Sequence, residues 1–369
     1  MKITDIQLGI VKIPLKRPFR TALRQVTDAE DLVVKIITDD GHVGYGNAPA
    51  TLAITGDSLT AIAAAIGTVI APKIKGSNIE DLQEIRLLIQ TAMAHNTSAK
   101  AAVDIAVHDL FCQHYRMPLY RFFGGAANTV SSDLTISINE PETMVKDALA
   151  AVKSGYGTLK IKVGTDAALD FQRIRAVRSA LGPGIRLRLD ANQGWKPKEA
   201  VRLIRAFEDA DFSIEFIEQP VRAHDIDGLK FVTDHVATDI MADESCFSAP
   251  DAFRLLALRA CDLLNIKLIK AGGLAEAAKI AALASAAGIG TMMGCMLESK
   301  IGVTAAAALS AGCGTIGRND LDAADLQETD PIIGGIRYEE DMLLLPEAPG
   351  LGISEVTGWQ PLSMPYASC

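Results

Sequence analysis

Eight short apolar stretches follow one another through the chain at nearly constant spacing. Centred on Thr135, Ile161, Arg188, Ile217, Ala242, Ile266, Met292 and Arg318, they lie 26, 27, 29, 25, 24, 26 and 26 residues apart, the differences between those positions. That interval holds one strand, one helix and two loops. The segments between them, such as ALDFQRIRAVRSAL and PKEAVRLIRAFEDA, carry apolar residues at helical spacing with charges opposite. A doubly wound open sheet uses the same alternation, but it seldom has eight evenly spaced strands and ordinarily carries a phosphate loop. No GxxxxGK loop occurs here, and the GxGxxG match at 312–317, GCGTIG, leads into a strand candidate instead of following one, so it is not a phosphate loop. The pattern predicts an α/β barrel.

Residues 1 to about 50 read instead as three strands, ITDIQLGIVKIPL, DLVVKIITDD and HVGYGNAP, with Asp39, Asp40 and Gly41 as the turn between the last two. From about 57 to 123 the helical period takes over in IEDLQEIRLLIQTAM and SAKAAVDIAVHDLFCQHY. The expected organisation is an α+β module of residues 1–124, a barrel of residues 125–344 beginning at Gly124–Gly125, and a loop-rich tail of residues 345–369 that returns to the first module.

Of the 369 residues, 45 are acidic and 36 basic, and the net charge of -9 offers no basic footprint for nucleic acid or an anionic membrane. Asp5 and Lys12 interrupt what would be the apolar core of a signal peptide. LTAIAAAIGTVIAP is only 14 residues long and the later Ala-rich run is broken by Glu276 and Lys279, so no membrane span is expected. The cysteines, Cys112, Cys246, Cys261, Cys295, Cys313 and Cys369, form no CxxC pair and fit reduced thiols in a cytoplasmic protein. A hydrophobic content of 49% with only 5% aromatics points to a core of small aliphatic side chains.

In such a barrel, chemistry gathers at the C-terminal ends of the strands. The polar residues there are Lys160, Lys162, Asp190, Asn192, Glu218, Asp243, Glu244, Lys267, Glu298, Asp320 and Asp322. Asp190, Glu218 and Asp243 end three consecutive strands, and three unpaired carboxylates at one mouth are costly unless a hard divalent cation such as Mg²⁺ relieves them. Period two turns Lys160 and Lys162 into the barrel, and Lys267 holds the corresponding position four strands on, across the mouth from Lys162. Two lysines flanking a substrate carboxylate allow one to remove an α-proton while the other supplies a proton to the opposite face. Such a lysine needs a pKa brought towards neutrality by burial and a nearby cation. Lysines that merely neutralise carboxylates would account for Lys160 and leave the opposed pair unexplained. The set reads as inversion or elimination beside a carboxylate, through an ene-diolate. Met292, Met293, Cys295 and Met296 read as barrel packing, and His108 with Cys112 lacks a third ligand, so histidine-based dehydratase chemistry is not expected.

The motifs Lys160-Ile161-Lys162, Asp190-Ala191-Asn192, Glu218-Gln219-Pro220, Asp243-Glu244-Ser245, Asn265-Ile266-Lys267 and Lys270-Ala271-Gly272-Gly273 together resemble the enolase superfamily. Within it the chain is most similar to the muconate-lactonizing-like branch and its dipeptide epimerases, over nearly its whole length. The resemblance implies a modified TIM barrel, (β/α)7β, under a capping domain formed by the N-terminal region and the C-terminal tail. It implies Mg²⁺ held by Asp190, Glu218 and Asp243, Lys162 and Lys267 as paired acid and base, and Lys160 as the group that stabilises the intermediate's carboxylate oxygen. Muconate cycloisomerases, o-succinylbenzoate synthases and N-succinylamino acid racemases share these residues. The narrower expectation rests on Asp320 and Asp322, which share a face by period two and resemble the dipeptide-epimerase element that holds the substrate's free α-ammonium. Arg24, in the loop Ala22–Gln25, resembles the residue that receives the Glu carboxylate of Ala-Glu. Thr135 and Glu298 are further candidates for substrate contact, with Asp133 replacing Thr135 if the register slips by two. The expected reaction is Mg²⁺-dependent epimerisation of a small-molecule dipeptide at its C-terminal residue, L-Ala-L-Glu to L-Ala-D-Glu, as in recycling of peptidoglycan peptides. A cycloisomerase, an o-succinylbenzoate synthase-like lyase and an N-acylamino acid racemase are the alternatives. The resemblance also implies a homo-oligomer, since barrels of this family often form dimers or octamers.

Overall fold

The first strand runs past Leu15, where the sequence pattern ends it, as far as Arg20. The computed structural model describes residues 1–362; residues 363–369, Cys369 and the end of the expected tail among them, lie outside the described residues. β1 (Ile3–Arg20), β2 (Gln25–Thr38) and β3 (Val43–Pro49) form an antiparallel meander. Pro14 lies opposite Asp28 and Phe19 opposite Val26, so Leu15–Pro18 bulge against Thr27 alone. A bulge is where a strand tolerates proline, because no ladder hydrogen bond is required there. The bulge rests on the barrel: Lys16 N donates to Leu326 O at 3.0 Å and Glu328 N to Pro14 O at 2.8 Å. What reads in sequence as an open loop is thus the tight turn of a long hairpin, closed by Thr21 N donating to Arg24 O at 2.9 Å.

Helices α1 (Leu59–Ala64), α2 (Ala71–Ile74), α3 (Leu82–Thr91) and α4 (Thr97–His114) complete the cap, with a π-helical segment at Ala65–Ile70 joining the first two. α3 buries only one stripe, Leu82, Ile85 and Ile89. α4 is buried nearly all round, Asp104, His108 and Asp109 included, because it is enclosed by the cap sheet and the barrel. Gly46 permits that contact, since a Cβ there would lie 1.8 Å from Ala102 O. Asp109 spans the interface between β3 and the tail, accepting from Tyr45 N at 2.9 Å and Leu351 N at 2.8 Å.

After the short β4 (Thr129–Ser131) come the eight parallel strands β5 (Leu134–Ile136), β6 (Thr158–Lys162), β7 (Arg186–Asp190), β8 (Ile214–Glu218), β9 (Asp239–Ala242), β10 (Leu263–Lys267), β11 (Gly290–Gly294) and β12 (Ile316–Asp320). Each pairs with its neighbour in chain order, and a helix, from Pro141–Lys153 to Lys300–Gly312, separates successive strands. This is the expected α/β barrel with an N-terminal β-rich cap. Between its first and last strands Asp133 N donates to Asn319 O at 3.3 Å, and side chains do the rest. Thr135 N donates to Asp322 Oδ2 at 2.6 Å and Leu321 N to Ser132 Oγ at 2.8 Å. After β12, β13 (Ile332–Gly334) pairs with β16 (Ile353–Val356), and β14 (Arg337–Glu339) with β15 (Met342–Leu344), which also pairs with β4. β17 (Gln360–Leu362) adds to the cap sheet alongside β1. No helix among the described residues is long and apolar enough to cross a membrane.

Candidate active site

The alternation of β6 buries Leu159 and Ile161 against the helix layer and sends Lys160 and Lys162 to the barrel axis. Lys160 is wholly buried, its Nζ 2.7 Å from both Asp320 Oδ2 and Glu218 Oε2 and 3.2 Å from Asp190 Oδ2. Lys162 Nζ donates to Asp190 Oδ2 at 2.6 Å and lies 5.9 Å from the centre of the Phe19 ring of the cap. Across the barrel, Lys267 Nζ donates to Asp243 Oδ2 at 2.7 Å and stands 4.0 Å from Glu218 Oε1.

Asp190 and Glu218 end β7 and β8, whereas Asp243 is the first residue beyond β9. The chain turns sharply after the first two, with Asn192, Gln193 and Gln219 held in left-handed backbone at φ 41°, 68° and 35°. Gln219 fastens one strand end to the next: Oε1 accepts from Asp243 N at 2.9 Å and Ser245 N at 3.1 Å, while Nε2 donates to Val221 O and Ser245 Oγ. Asn265 Nδ2 donates to Glu218 Oε1 at 2.8 Å. Lys270 is also wholly buried; its Nζ is 2.6 Å from Asp243 Oδ1 and donates to the carbonyls of Asp243, Cys246 and Asn265. Gln219, Asn265 and Lys270 lie inside the sequence motifs without an expected role. A lysine in an otherwise apolar turn was the available signal.

Burial raises every carboxylate here, and the ammonium groups decide where each ends. Asp243 is held well below the usual range despite burial, by Lys267 and Lys270. Asp320, likewise buried, stays at about 2 because Lys160 and Lys162 face it. Burial and Asp190 push Glu218 up to about 7, and burial and Asp243 push Glu244 up to about 8. Burial draws the Lys267 ammonium down, but Asp243 and Glu218 outweigh it and the net shift is upward. The expected fall of a lysine pKa towards neutrality is therefore not met by the chain's own charges at Lys267.

Among the described residues no three His, Cys, Asp or Glu side chains are drawn together as a ready-made metal cluster. Glu218 Oε2, Asp243 Oδ1, Glu244 Oε2 and Asn192 Oδ1 are nevertheless buried without a hydrogen-bond partner. The first two have an ammonium nitrogen at 2.7 and 2.6 Å, but outside hydrogen-bonding geometry. Orphaned, all-oxygen donors of this kind suit a hard divalent cation.

Lys162, Lys267, Asp243, Asp320, Asp322 and Thr135 line one cavity, roofed by the hairpin turn that carries Arg24. Burial lowers the Arg24 pKa, and among the described residues its guanidinium has no ion-pair partner. Asp322 is raised to about 6 by burial and by Asp320. Thr135 lies at the cavity, whereas Asp133 is 2.8 Å from Arg188 in the layer below, so the register is the unslipped one. Met292 and Met293 pack in the core as expected, but Cys295 and Met296 are part of the cavity wall.

Glu298 does not line the cavity. Lying four positions past the end of β11, it is beyond the reach of strand alternation. It joins a buried knot with the cap instead: Oε1 accepts from Met296 N at 2.9 Å and Oε2 from Asn47 Nδ2 at 3.1 Å, the same amide donating to Asp31 Oδ2 at 2.8 Å. Burial and Asp31 push Glu298 up to about 8. A carboxyl raised in the folded state stabilises fully below its unfolded pKa, and that contribution disappears as pH rises through about 8. Melting temperature should therefore fall more steeply between pH 5 and 8 in the wild type than in Glu298→Gln, which cannot ionise. Parallel melting curves across that window would show Glu298 not to be the titrating group.

The mandelate racemase / muconate lactonizing enzyme N-terminal domain model matches residues 4–124, and the enolase C-terminal domain-like model matches residues 143–355. The chain belongs to the mandelate racemase/muconate lactonizing enzyme family of the enolase superfamily. Within this family it is closely related to dipeptide epimerases. It is 49% identical over 356 residues to the L-Ala-D/L-Glu epimerase of Clostridium acetobutylicum, a match covering 96% of this chain and 99% of that one. Among solved family structures, a substrate-liganded complex of the L-Ala-D/L-Glu epimerase from Bacillus subtilis superposes with a TM-score of 0.95 at 47% identity, covering 97% of this chain and 100% of that one. The dipeptide epimerase of Enterococcus faecalis, complexed with Mg and L-Leu-L-Tyr, gives 0.93 at 45% identity, covering 96% of this chain and 100% of that one.

Proposed function

We propose that this member of the family is a Mg²⁺-dependent dipeptide epimerase that inverts the α-carbon of the C-terminal residue by two-base 1,1-proton transfer. The observation that carries this reading is that Lys162 and Lys267, on strands four apart in an eight-stranded barrel, enter the same cavity. Mg²⁺ would be held by Asp190, Glu218 and Asp243, and supplies the positive charge against which an α-proton beside a carboxylate becomes removable. One lysine, in its amine form, takes that proton; the other, as an ammonium, delivers one to the opposite face. Lys160, beneath them among Asp190, Glu218 and Asp320, adds positive charge where the ene-diolate is negative. Asp320 and Asp322 take the dipeptide's α-ammonium beside Thr135, a contact that an N-acylated substrate cannot offer.

Arg24 would take a distal carboxylate, which makes a C-terminal Glu the preferred residue and L-Ala-L-Glu/L-Ala-D-Glu the preferred pair. Replacing Arg24 with Met is expected to lower kcat/KM for L-Ala-L-Glu by about 10²–10³-fold, the worth of a desolvated charge pair of about 3–4 kcal/mol. Turnover of L-Ala-L-Leu should stay within about threefold. Equal losses on both substrates would remove Arg24 from the specificity pocket.

The test of the function itself is ¹H NMR of L-Ala-L-Glu and a panel of other dipeptides in D₂O with enzyme and Mg²⁺. Exchange of the α-proton with appearance of the second diastereomer is expected. Absence of exchange on every dipeptide would overturn the reading in favour of a lyase or an N-acylamino acid racemase of the same family. The reading retains the division into residues 1–124, 125–344 and 345–369. It also takes the enzyme as cytoplasmic, a compartment in which the free thiols of Cys112, Cys246, Cys261, Cys295 and Cys313 stay reduced.

A further inference from the structure

We propose that Asp104, in cap helix α4, is a positioning residue for Lys267, so that α4 governs one face of the proton transfer. The inference rests on the two-base reading above. β10 ends at Lys267 and passes directly into the helical turn Leu268–Ala271, then Gly272 and Gly273, then the helix Leu274–Ala286. That helix has no side-chain cap of its own, because Gly273 stands at its N-cap. Asp104 supplies the cap from far away in sequence: its Oδ2 accepts from Leu274 N at 2.7 Å. The fit is made to measure, since Gly273 has φ 119° and a Cβ on it would lie 2.4 Å from that same oxygen. A carboxylate at a helix N-terminus is also favoured by the helix dipole.

Two further cap contacts hold the same turn. Gln90 Nε2 donates to Gly272 O at 2.7 Å, and Ala101 of α4 packs with Ile269 of the turn and Met296 of the cavity wall. Asp104 is wholly buried and does not line the cavity, so its bond to the segment that carries Lys267 is its route to the chemistry. Lys162, on β6, meets the cap at the Phe19 ring, 5.9 Å away, but among the described residues its segment has no hydrogen-bonded link to α4, and it is set by its own strand and by Asp190. Loss of the Asp104 cap should therefore displace one base and spare the other.

The experiment follows α-proton exchange in D₂O separately from L-Ala-L-Glu and L-Ala-D-Glu, with Mg²⁺ present. Lys267→Ala first identifies the epimer served by Lys162, as the one that still exchanges. In Asp104→Ala, that epimer should keep its exchange within about threefold while exchange of the other epimer and net inversion fall by about thirtyfold or more, the scale of an ångström-level misplacement. Asp104→Asn retains an oxygen for Leu274 N and should recover inversion to within about fivefold of wild type. If circular dichroism shows Asp104→Ala unfolded, Gly273→Ala, which pushes on the same carboxylate, must give the same one-sided loss. Equal loss on both epimers, or no loss, in whichever variant folds would overturn the proposal. A wild-type enzyme that exchanges neither epimer overturns the epimerase reading instead, and this proposal with it.

Discussion

Lys267→Ala should lose inversion of L-Ala-L-Glu by about 10³-fold or more while one epimer goes on exchanging its α-proton with solvent, and Lys162→Ala should show the mirror image. In the two-base mechanism proposed above, each lysine would reach the α-carbon from its own side of the barrel and serve only the proton on that face. Take one away and the other still removes its proton and returns a deuteron to the same side, which gives exchange without inversion. Both variants should fold. Asp243 keeps Lys270 when Lys267 is removed, and Asp190 keeps Lys160 when Lys162 is removed, so neither carboxylate is left without a cation. The pair of exchange curves, with circular dichroism as the check on fold, decides the matter. Full inversion in either variant, or loss of exchange from both epimers in one of them, would end the two-base assignment.

Chelation of divalent cations should have an effect of similar size, with inversion falling by about 10³-fold and returning when Mg²⁺ is restored. The physical ground is the charge balance of the site. With its own groups alone, the chain leaves Lys267 holding its proton more tightly than a free lysine and Glu218 pushed up to about 7. It also leaves Glu218 Oε2 and Asp243 Oδ1 buried without hydrogen bonds. Glu218→Gln, which keeps the shape and removes the charge, should weaken Mg²⁺ binding by about tenfold or more in a calorimetric titration. Saturating Mg²⁺ should also raise the melting temperature of the wild type, since a ligand at about 100 times its Kd adds about 2.7 kcal/mol of stability. Inversion that survives thorough chelation, with no change in melting, would remove the cation from the account.

The parts of the molecule legible in sequence were those governed by short-range periodicity. Strand spacing specified the barrel, and alternation along TLKIK placed Lys160 and Lys162 on the axis, where the structure has them. The parts missed depend on contacts that no local pattern encodes. The first strand reads as ending at Leu15, yet it runs on to Arg20 through a bulge held by residues near Gln327, far along the chain. Glu298 reads as a strand-end acid, but the strand has already ended and the side chain belongs to a knot with Asn47 and Asp31. Asp104 lies in a helix too evenly apolar to show a face, and its importance depends on a partner at Leu274. Asp322 reads in sequence as a ligand for substrate; what the structure shows is its bond to Thr135 N, which joins the first and last strands of the barrel.

The pairing of β17 with β1 has a bearing on how the protein is made. Leu8, Gly9 and Ile10 find their partners in Leu362, Pro361 and Gln360, which leave the ribosome some 350 residues later, the difference between positions 360 and 10. At a synthesis rate of about 5–20 residues per second, that strand waits roughly 20 seconds to over a minute with one edge open. An unpaired strand edge is a template for other chains. A message truncated before Gln360 would therefore release a chain whose barrel residues are all present and whose cap still offers that edge to its neighbours.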